Sequence, residues 1–393
     1  MNSLPKEKKR LVIVTNNLYS FGGGEKFALD VATRLKNNLS ITILNTISKK
    51  DKTILSEDVL ARMFDLSKIN VIKLPSIGIG LKAFGTDPYV FRIPSPVSTA
   101  RFIDTFSKAD SIYQVSLNPL LLSYSVLFSR VMRKRFVLGV HNFSLSKSLE
   151  EKDAAKSGIS RQALISLLKQ IKFFHVLNDR DLKLIRTHFP KAAVRKIPNF
   201  ITLPVQTVGN NSREFICLYV GRLEKNQKGI DLLCDVIEHT IAKDKEIVFH
   251  IVGKSGDGEA LVAKIEKKYP KNVVWSGFLQ GKKLKDAYNK ASVLVFPSRY
   301  DTFSLVLLEA QSYGLPAITF DIPGPQDIIK KPFQGARVKR PIPADFSSQI
   351  LRYHKLWRNK KEYLNTKKRI SSFVQKSYAE QKLLPELEKF LFS

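Results

Sequence analysis

The chain has 393 residues, 65 Lys+Arg against 35 Asp+Glu, a formal net charge of +30 and 44% hydrophobic residues. That length favours two domains over one, and that apolar content excludes an intrinsically disordered chain. The two cysteines, Cys217 and Cys234, sit in apolar runs, so neither a disulfide framework nor zinc-ligand spacing is present and a reducing compartment is expected. The opening "MNSLPKEKKRLVIVTNN" offers too short an apolar run for a signal peptide, and "PLLLSYSVLF" is about half of the ~20 residues a bilayer span needs. A cytoplasmic protein, or one peripheral on the cytosolic face of a membrane, is the expectation.

In chain order, "LVIV" (Leu11–Val14) reads as a buried strand, followed by a Gly-rich loop and the helical "EKFALDVATRL". The runs "ITILN", "NVIKL", "SIYQV", "RFVLGV" and "FFHVL" read as further strands separated by helical patterns. "PNFITLPVQTVGNNSR" has prolines, polar residues and no helical period, and reads as a linker. The alternation then restarts with "FICLYV", "EIVFHIV", "NVVWSG", "SVLVFP" and "PAITFD", each followed by a helical stretch except the last, and the C-terminus is helical and charged. Such alternation predicts an α/β architecture of two doubly wound parallel sheets. Ligands of open α/β sheets bind beyond the carboxyl ends of the strands, and each motif below falls there.

In "PSRYDTFSLVLLEAQSYG" (Pro297–Gly314) a strand ends at a proline, a helix follows from about Phe303, and Gly314 and Pro316 stop it. The helix start, with the N–H groups of Phe303, Ser304 and Leu305, suits an anion. Asp301 or Thr302 also reads as a simple N-cap. Glu309, surrounded by Leu305–Leu308 and Ala310, requires a partner if buried. "YVGRLEKNQKGIDLL" places Arg222 and Lys228 on the loop after a strand, both expected exposed. Arginine suits bidentate phosphate contact and lysine a point charge. "SFGGGEKF" places Gly22, Gly23 and Gly24 between the first strand and its helix, and "FVLGVHNF" sets His141 at a strand end. A Gly-rich turn or a lone histidine is weak evidence by itself.

Together these motifs resemble the retaining glycosyltransferases of family 4 (glycosyl transferases group 1), which carry two acids with seven residues between them after a strand ending in Pro-Ser. Asp301 and Glu309 have that spacing. The resemblance covers nearly the whole chain and is stronger over residues 215–330. It implies a GT-B fold, two facing Rossmann-like domains with a cleft between them: residues 1–203 on the acceptor side, 204–373 binding a nucleotide-sugar, and a helix at 374–393 packing back on the first domain. It implies that Glu309 bonds ribose hydroxyls, that Asp301 lies beside the donor sugar, and that the N–H groups of Phe303, Ser304 and Leu305 meet sugar hydroxyls and phosphate. Arg222 and Lys228 would grip the diphosphate, with Lys225 as the alternative to Lys228 because the family's gap is often one residue shorter. Gly22 and Gly23, with Glu25, would face the phosphates and acceptor, His141 would touch the donor sugar, and Phe278 would lie near the base pocket.

The chain departs from the family pattern at Asp301, where glutamate is usual, and at Thr302 and Ser304, which replace glycines. Phe200 and Lys254 stand where glycine and aspartate are usual. The implied activity is hexosyl transfer, with retention, from a nucleotide-sugar, expected to be a UDP-sugar, to a hydroxyl of a glycan, a lipid-linked saccharide or an anionic cell-surface polymer, as in polysaccharide biosynthesis. No metal and no cofactor beyond that co-substrate are expected, since no His/Asp cluster with metal-ligand spacing is present. A non-catalytic GT-B partner subunit, a GT-B epimerase and a basic polyanion- or nucleic-acid-binding protein remain as alternatives. The last rests on charge alone, without a recognisable nucleic-acid motif.

The charge is uneven: residues 1–205 hold 33 Lys+Arg against 15 Asp+Glu. The clusters "KEKKR" (Lys6–Arg10) and "RVMRKR" (Arg130–Arg135), with Phe84, Tyr89, Phe91, Phe102 and Phe106 nearby, read either as an anionic-membrane surface or as an ordinary connection with core aromatics.

Overall fold

The computed structural model describes residues 7–20, 22–48, 56–81, 89–141, 145, 149–150, 162–201 and 212–393. The chain forms two units, residues 1–198 with 383–393, and residues 199–382. The division thus falls at Pro198 and Lys382 rather than at 203 and 373.

The first unit is built on an eight-stranded sheet. Its strands are β1 (Arg10–Thr15), β2 (Ser40–Ile47), β3 (Ile69–Leu81), β4 (Tyr89–Pro94), β5 (Ser111–Gln114), β6 (Arg135–Val140), β7 (Phe173–Val176) and β8 (Ala193–Lys196). Their order is β4-β3-β2-β1-β5-β6-β7-β8, parallel except for the antiparallel edge pair β3·β4. Val12–Val14 and Ile112–Tyr113 are buried because helices cover both faces, which explains runs that are apolar throughout rather than alternating. The helix Gly23–Leu35 turns Phe27, Ala28, Val31, Ala32 and Leu35 inward at the spacing of one helical face. The chain order reverses on either side of β1, so the ends of β1 and β5 flank a switch point, the usual ligand position in such sheets.

The sequence reading missed β4 and β8 of this sheet and, in the second unit, the strand Gly335–Val338. Phe102 and Phe106 are core residues, 1% and 0% exposed, with ring centroids 4.1 Å apart. The surface reading therefore fails for these two; Phe84 and the side chains of Tyr89 and Phe91 lie outside the described residues. Arg135 is likewise not part of a basic surface: its guanidinium lies 3.7 Å from the Phe173 ring centroid and donates to the Phe390 carbonyl at 2.7 Å. The Ser111 hydroxyl donates to the Leu391 carbonyl at 2.6 Å. These contacts fasten the end of the C-terminal helix (Glu380–Phe392), whose Leu387 and Leu391 are fully buried, into the first unit.

The second unit carries six parallel strands: β9 (Phe215–Val220), β10 (Ile247–Val252), β11 (Val273–Trp275), β12 (Val293–Phe296), β13 (Ala317–Phe320) and β14 (Gly335–Val338). Their order, β11-β10-β9-β12-β13-β14, again has its switch point at the first strand, between β9 and β12. Its core joins Phe215, Tyr219, Phe249 and Val295 of the sheet to Leu233 and Val236 of the helix Ile230–Ile241 and to Phe346 and Ile350 of the helix Pro343–Arg358. Cys217 and Cys234 are both free thiols, and Cys217 is buried in this core. Of the expected linker, residues 202–211 lie outside the described residues. No helix among the described residues is long and apolar enough to cross a membrane.

Candidate active site

Two loops of the second unit, one leaving β9 and one leaving β12, are held together by backbone and side-chain bonds. Arg299 N–H donates to the Gln227 carbonyl at 2.8 Å, and the Ser298 hydroxyl donates to the same oxygen at 3.0 Å. The Arg299 guanidinium forms a bidentate pair with Asp231 at 2.8 and 2.7 Å and also reaches the Lys225 carbonyl. Gly229 sits in the left-handed region at φ 67°, and a Cβ there would lie 2.2 Å from the Pro297 carbonyl oxygen. Only glycine allows the two loops to close on each other at this point. Gly324, at φ 86°, supports the second loop from behind, where a Cβ would lie 2.7 Å from the Asp301 carbonyl oxygen.

That closure brings the Lys228 ammonium to 3.1 Å from the Asp301 carboxylate, each side chain 15% exposed. The expectation of a freely exposed Lys228 is therefore corrected: it is half-buried, paired, and 5.4 Å from the Phe296 ring centroid. The sequence could not show this, because residues 73 positions apart meet only through the β9–β12 adjacency. Arg222 is exposed as expected. Its guanidinium meets Glu224 at 2.6 Å and Gln227 at 3.1 Å, which holds it on its own loop. Lys225 gives its N–H to Asp257 at 2.9 Å.

The helix after β12 spans Leu305–Ser312, two residues later than the sequence suggested. Its N-cap is Ser304, whose hydroxyl accepts from the Leu307 N–H at 3.3 Å, so neither Asp301 nor Thr302 caps it. Phe303 is buried, its ring centroid 6.2 Å from that of Tyr378, so its side chain packs inward. Glu309 is half-buried and accepts from the Tyr288 hydroxyl at 3.0 Å. Tyr288 stacks on Tyr313 with centroids 5.3 Å apart. Burial, then the Glu309 charge, pushes the Tyr288 phenol well above its ordinary value, so it remains a donor. Phe278 is 40% exposed, with the Lys254 ammonium 5.8 Å from its ring centroid.

In the first unit, Gly22 is the N-cap residue of the helix Gly23–Leu35 in extended conformation, and both it and Gly23 are exposed. None of Gly22, Gly23 and Gly24 has a left-handed φ, so conformation does not demand glycine there. A Cβ on Gly24 would be 3.6 Å from the Cβ of His141, which places the strand-end histidine beside this helix start. His141 Nε2 lies 2.9 Å from the Tyr113 hydroxyl, which lies 2.6 Å from His175 Nδ1; His175 Nε2 lies 2.7 Å from the Ile197 carbonyl. Tyr113 and His175 were missed by sequence reasoning, since both read as strand residues of an apolar run. Burial, then the nearby His175, pushes His141 well below the ordinary imidazole value, and burial brings His175 to about 4. Among the described residues no group of three or more His, Cys, Asp or Glu is arranged to hold a metal ion.

Two parallel-sheet α/β units, with acids and cations gathered at the carboxyl ends of β9 and β12, define a fold of the GT-B type. Residues 214–355 match the family described as glycosyl transferases group 1. Among solved structures, the chain is similar to pneumococcal O-GlcNAc transferase GtfA in complex with UDP and GlcNAc: TM-score 0.73, 14% identity, 98% of each chain covered. It is also similar to Anabaena HepE in complex with UDP: TM-score 0.72, 12% identity, 98% of this chain and 99% of that one. Among curated proteins, an uncharacterised 41.2 kDa protein of the Klebsiella pneumoniae cps region is 35% identical over 147 residues, 37% of this chain and 38% of that protein. Lipopolysaccharide 1,6-galactosyltransferase of Salmonella typhimurium is 33% identical over 125 residues, 30% of this chain and 34% of that protein. The matches thus span little more than a third of these curated relatives.

Proposed function

We propose that this chain is a retaining glycosyltransferase that moves a sugar from a nucleotide-sugar, in our reading a UDP-sugar, to a hydroxyl of a glycan, a lipid-linked saccharide or an anionic cell-surface polymer. The observation that carries the reading is the Lys228–Asp301 pair at the carboxyl ends of β9 and β12, with Arg222 on the same loop and Glu309 on the helix that follows. UDP in the solved complexes of GtfA and HepE supports the choice of nucleotide. The Salmonella enzyme supports a polysaccharide acceptor.

In this reading Arg222 and Lys228 offset the charge that grows on the departing diphosphate, and no cofactor beyond the nucleotide-sugar is called for. The Lys228 ammonium exchanges its carboxylate partner for phosphate when the donor binds. Glu309, braced by Tyr288, takes the ribose hydroxyls, and Asp301 is left beside the donor sugar. A leaving phosphate oxygen accepts the acceptor's proton on the face it departs from, which retains the anomeric configuration.

A peripheral membrane site for the acceptor is supported by the helix Pro119–Val131. Leu127 and Val131 are 56% and 70% exposed one turn apart, beside exposed Arg130 and Arg133. Each basic residue near an anionic surface contributes about 1 kcal/mol. Sedimentation with anionic but not neutral vesicles, reversed by salt, is the expected result; indifference to lipid charge leaves a soluble acidic acceptor.

The decisive experiment incubates the protein with a panel of nucleotide-sugars and acceptor hydroxyls and follows free nucleotide and the anomeric configuration of product by NMR. Nucleotide release that Arg222→Ala reduces ten- to a hundredfold is expected, roughly one charge-assisted phosphate bond. Tight nucleotide binding with no turnover of any donor would instead favour a non-catalytic subunit.

A further inference from the structure

The chain of bonds through Tyr113 has only one consistent polarity. The Ile197 carbonyl can only accept, so His175 Nε2, 2.7 Å away, must carry a proton. A neutral His175 then presents a bare Nδ1, which accepts from the Tyr113 hydroxyl at 2.6 Å. Having spent its one proton there, the Tyr113 oxygen accepts from His141 Nε2 at 2.9 Å. His141 is thereby fixed as the Nε2–H tautomer, and its Nδ1 is a bare lone pair. That nitrogen is buried and has no hydrogen-bond partner among the described residues. A buried polar atom left unsatisfied costs about 1–3 kcal/mol, so such an atom calls for a ligand or another compensating role.

The surroundings preserve the arrangement. The Phe27 ring lies 4.7 Å from His141 and 5.9 Å from His175, which limits reorientation of both. Gly139 leaves the space the bonds occupy: a Cβ there would lie 2.8 Å from His141 Cδ2, from His141 Nε2 and from the Tyr113 hydroxyl. Neutrality of both imidazoles follows from their burial.

We propose that Tyr113 and His175 are positioning residues that hold His141 as a neutral imidazole whose Nδ1 only accepts, so that it selects a hydroxyl group on its ligand. This rests on the reading above for the ligand's class, a sugar, but not for the tautomer itself. An acceptor-only nitrogen takes an O–H and disfavours a carboxylate or phosphate oxygen, which has no proton to give.

The test begins with the ligand-free, full-length protein labelled with nitrogen-15 in histidine. Long-range proton–nitrogen correlation, assigned with His141→Gln, should show His141 with a protonated Nε2 and an unprotonated, pyridine-type Nδ1. A protonated Nδ1, or a charged ring at pH 7, would overturn the proposal. His175→Phe removes the acceptor, so Tyr113 is free to donate to His141 Nε2; the ring should then shift toward its Nδ1–H form. His175→Asn, which keeps an acceptor near the same place, should restore the wild-type tautomer. An unchanged His141 signal in folded His175→Phe would also overturn the proposal. The wild-type spectrum decides even if a variant fails to fold. Kinetically, Tyr113→Phe should lower kcat/KM about tenfold, the loss of one oriented hydrogen bond, while leaving affinity for free UDP unchanged. Equal losses in UDP affinity and kcat/KM would overturn the sugar-side role. If the tautomer is as expected but no nucleotide-sugar turns over, the relay stands and the glycosyltransferase reading fails.

Discussion

The Lys228–Asp301 pair makes a prediction that separates folding from binding. Breaking a fully buried ion pair by removing one partner costs about 3–5 kcal/mol, and an exposed pair contributes about 0–1. With both side chains 15% exposed and the charges 3.1 Å apart, this pair lies nearer the buried limit. Lys228→Met should therefore destabilise the second unit by roughly 2–3 kcal/mol, because it strands a carboxylate. Asp301→Asn keeps an acceptor of the same shape and should cost roughly 1 kcal/mol. The double variant should be more stable than the sum of the two predicts, by roughly 1–2 kcal/mol. Denaturation followed by a probe in the second unit gives these values, since two units need not unfold together. Calorimetry with UDP gives the other half. Lys228→Met should lose affinity in either background. Asp301→Asn, which frees the ammonium from its carboxylate, should bind UDP up to about tenfold more tightly while turnover falls. Strict additivity of the stabilities would refute the pair. Weaker UDP binding by Asp301→Asn, comparable to that of Lys228→Met, would refute the exchange of carboxylate for phosphate.

Three further outcomes are expected. Glu309→Gln retains an acceptor for Tyr288 but loses the charge, and should weaken UDP binding roughly tenfold with little change in stability; unchanged affinity by calorimetry would remove the ribose role. Gly229→Ala should destabilise the second unit by at least about 2 kcal/mol, from left-handed strain plus the 2.2 Å approach to the Pro297 oxygen, and a thermal midpoint equal to wild type would contradict that geometry. His175, whose folded value of about 4 lies below its ordinary 6.5, binds its proton more readily in the unfolded chain. Its contribution is present above pH 6.5 and is lost as pH falls toward 4, roughly 2–3 kcal/mol by pH 4.5, and thermal melts of His175→Asn should show a shallower acid slope.

Much of the fold was legible in the sequence because parallel strands covered on both faces are written as short, fully apolar runs, and the helices between them carry a 3.6-residue period. "LVIV", "FICLYV" and "SVLVFP" each became a switch-point strand or its neighbour. The candidate site residues could be named because ligands in this architecture bind beyond such strands, where Arg222, Lys228 and Asp301 stand on two loops and Glu309 on the helix after the second, and because their spacing resembles that of glycosyl transferases group 1. β4 was not legible, since "YVFRIP" carries polar and proline residues tolerable only at an antiparallel sheet edge. Nor was β8, whose "AVRK" has one buried residue in four.

What the tertiary structure decided is which charges and hydrogen-bonding groups meet. Lys228 and Asp301 are 73 residues apart, Tyr113 and His175 62 apart, and Arg299 and Asp231 68 apart. No local pattern encodes such meetings, because each depends on the order of strands in the sheet. The Ser304 cap, in place of Asp301 or Thr302, likewise awaited the helix start at Leu305, since sequence locates a helix end only to within a few residues. Sequence determined which chemistries were available at the strand ends; strand order determined which of them came within a hydrogen bond of one another, because a hydrogen bond acts over about 3 Å and a register or neighbour of the wrong kind moves a side chain by more than that.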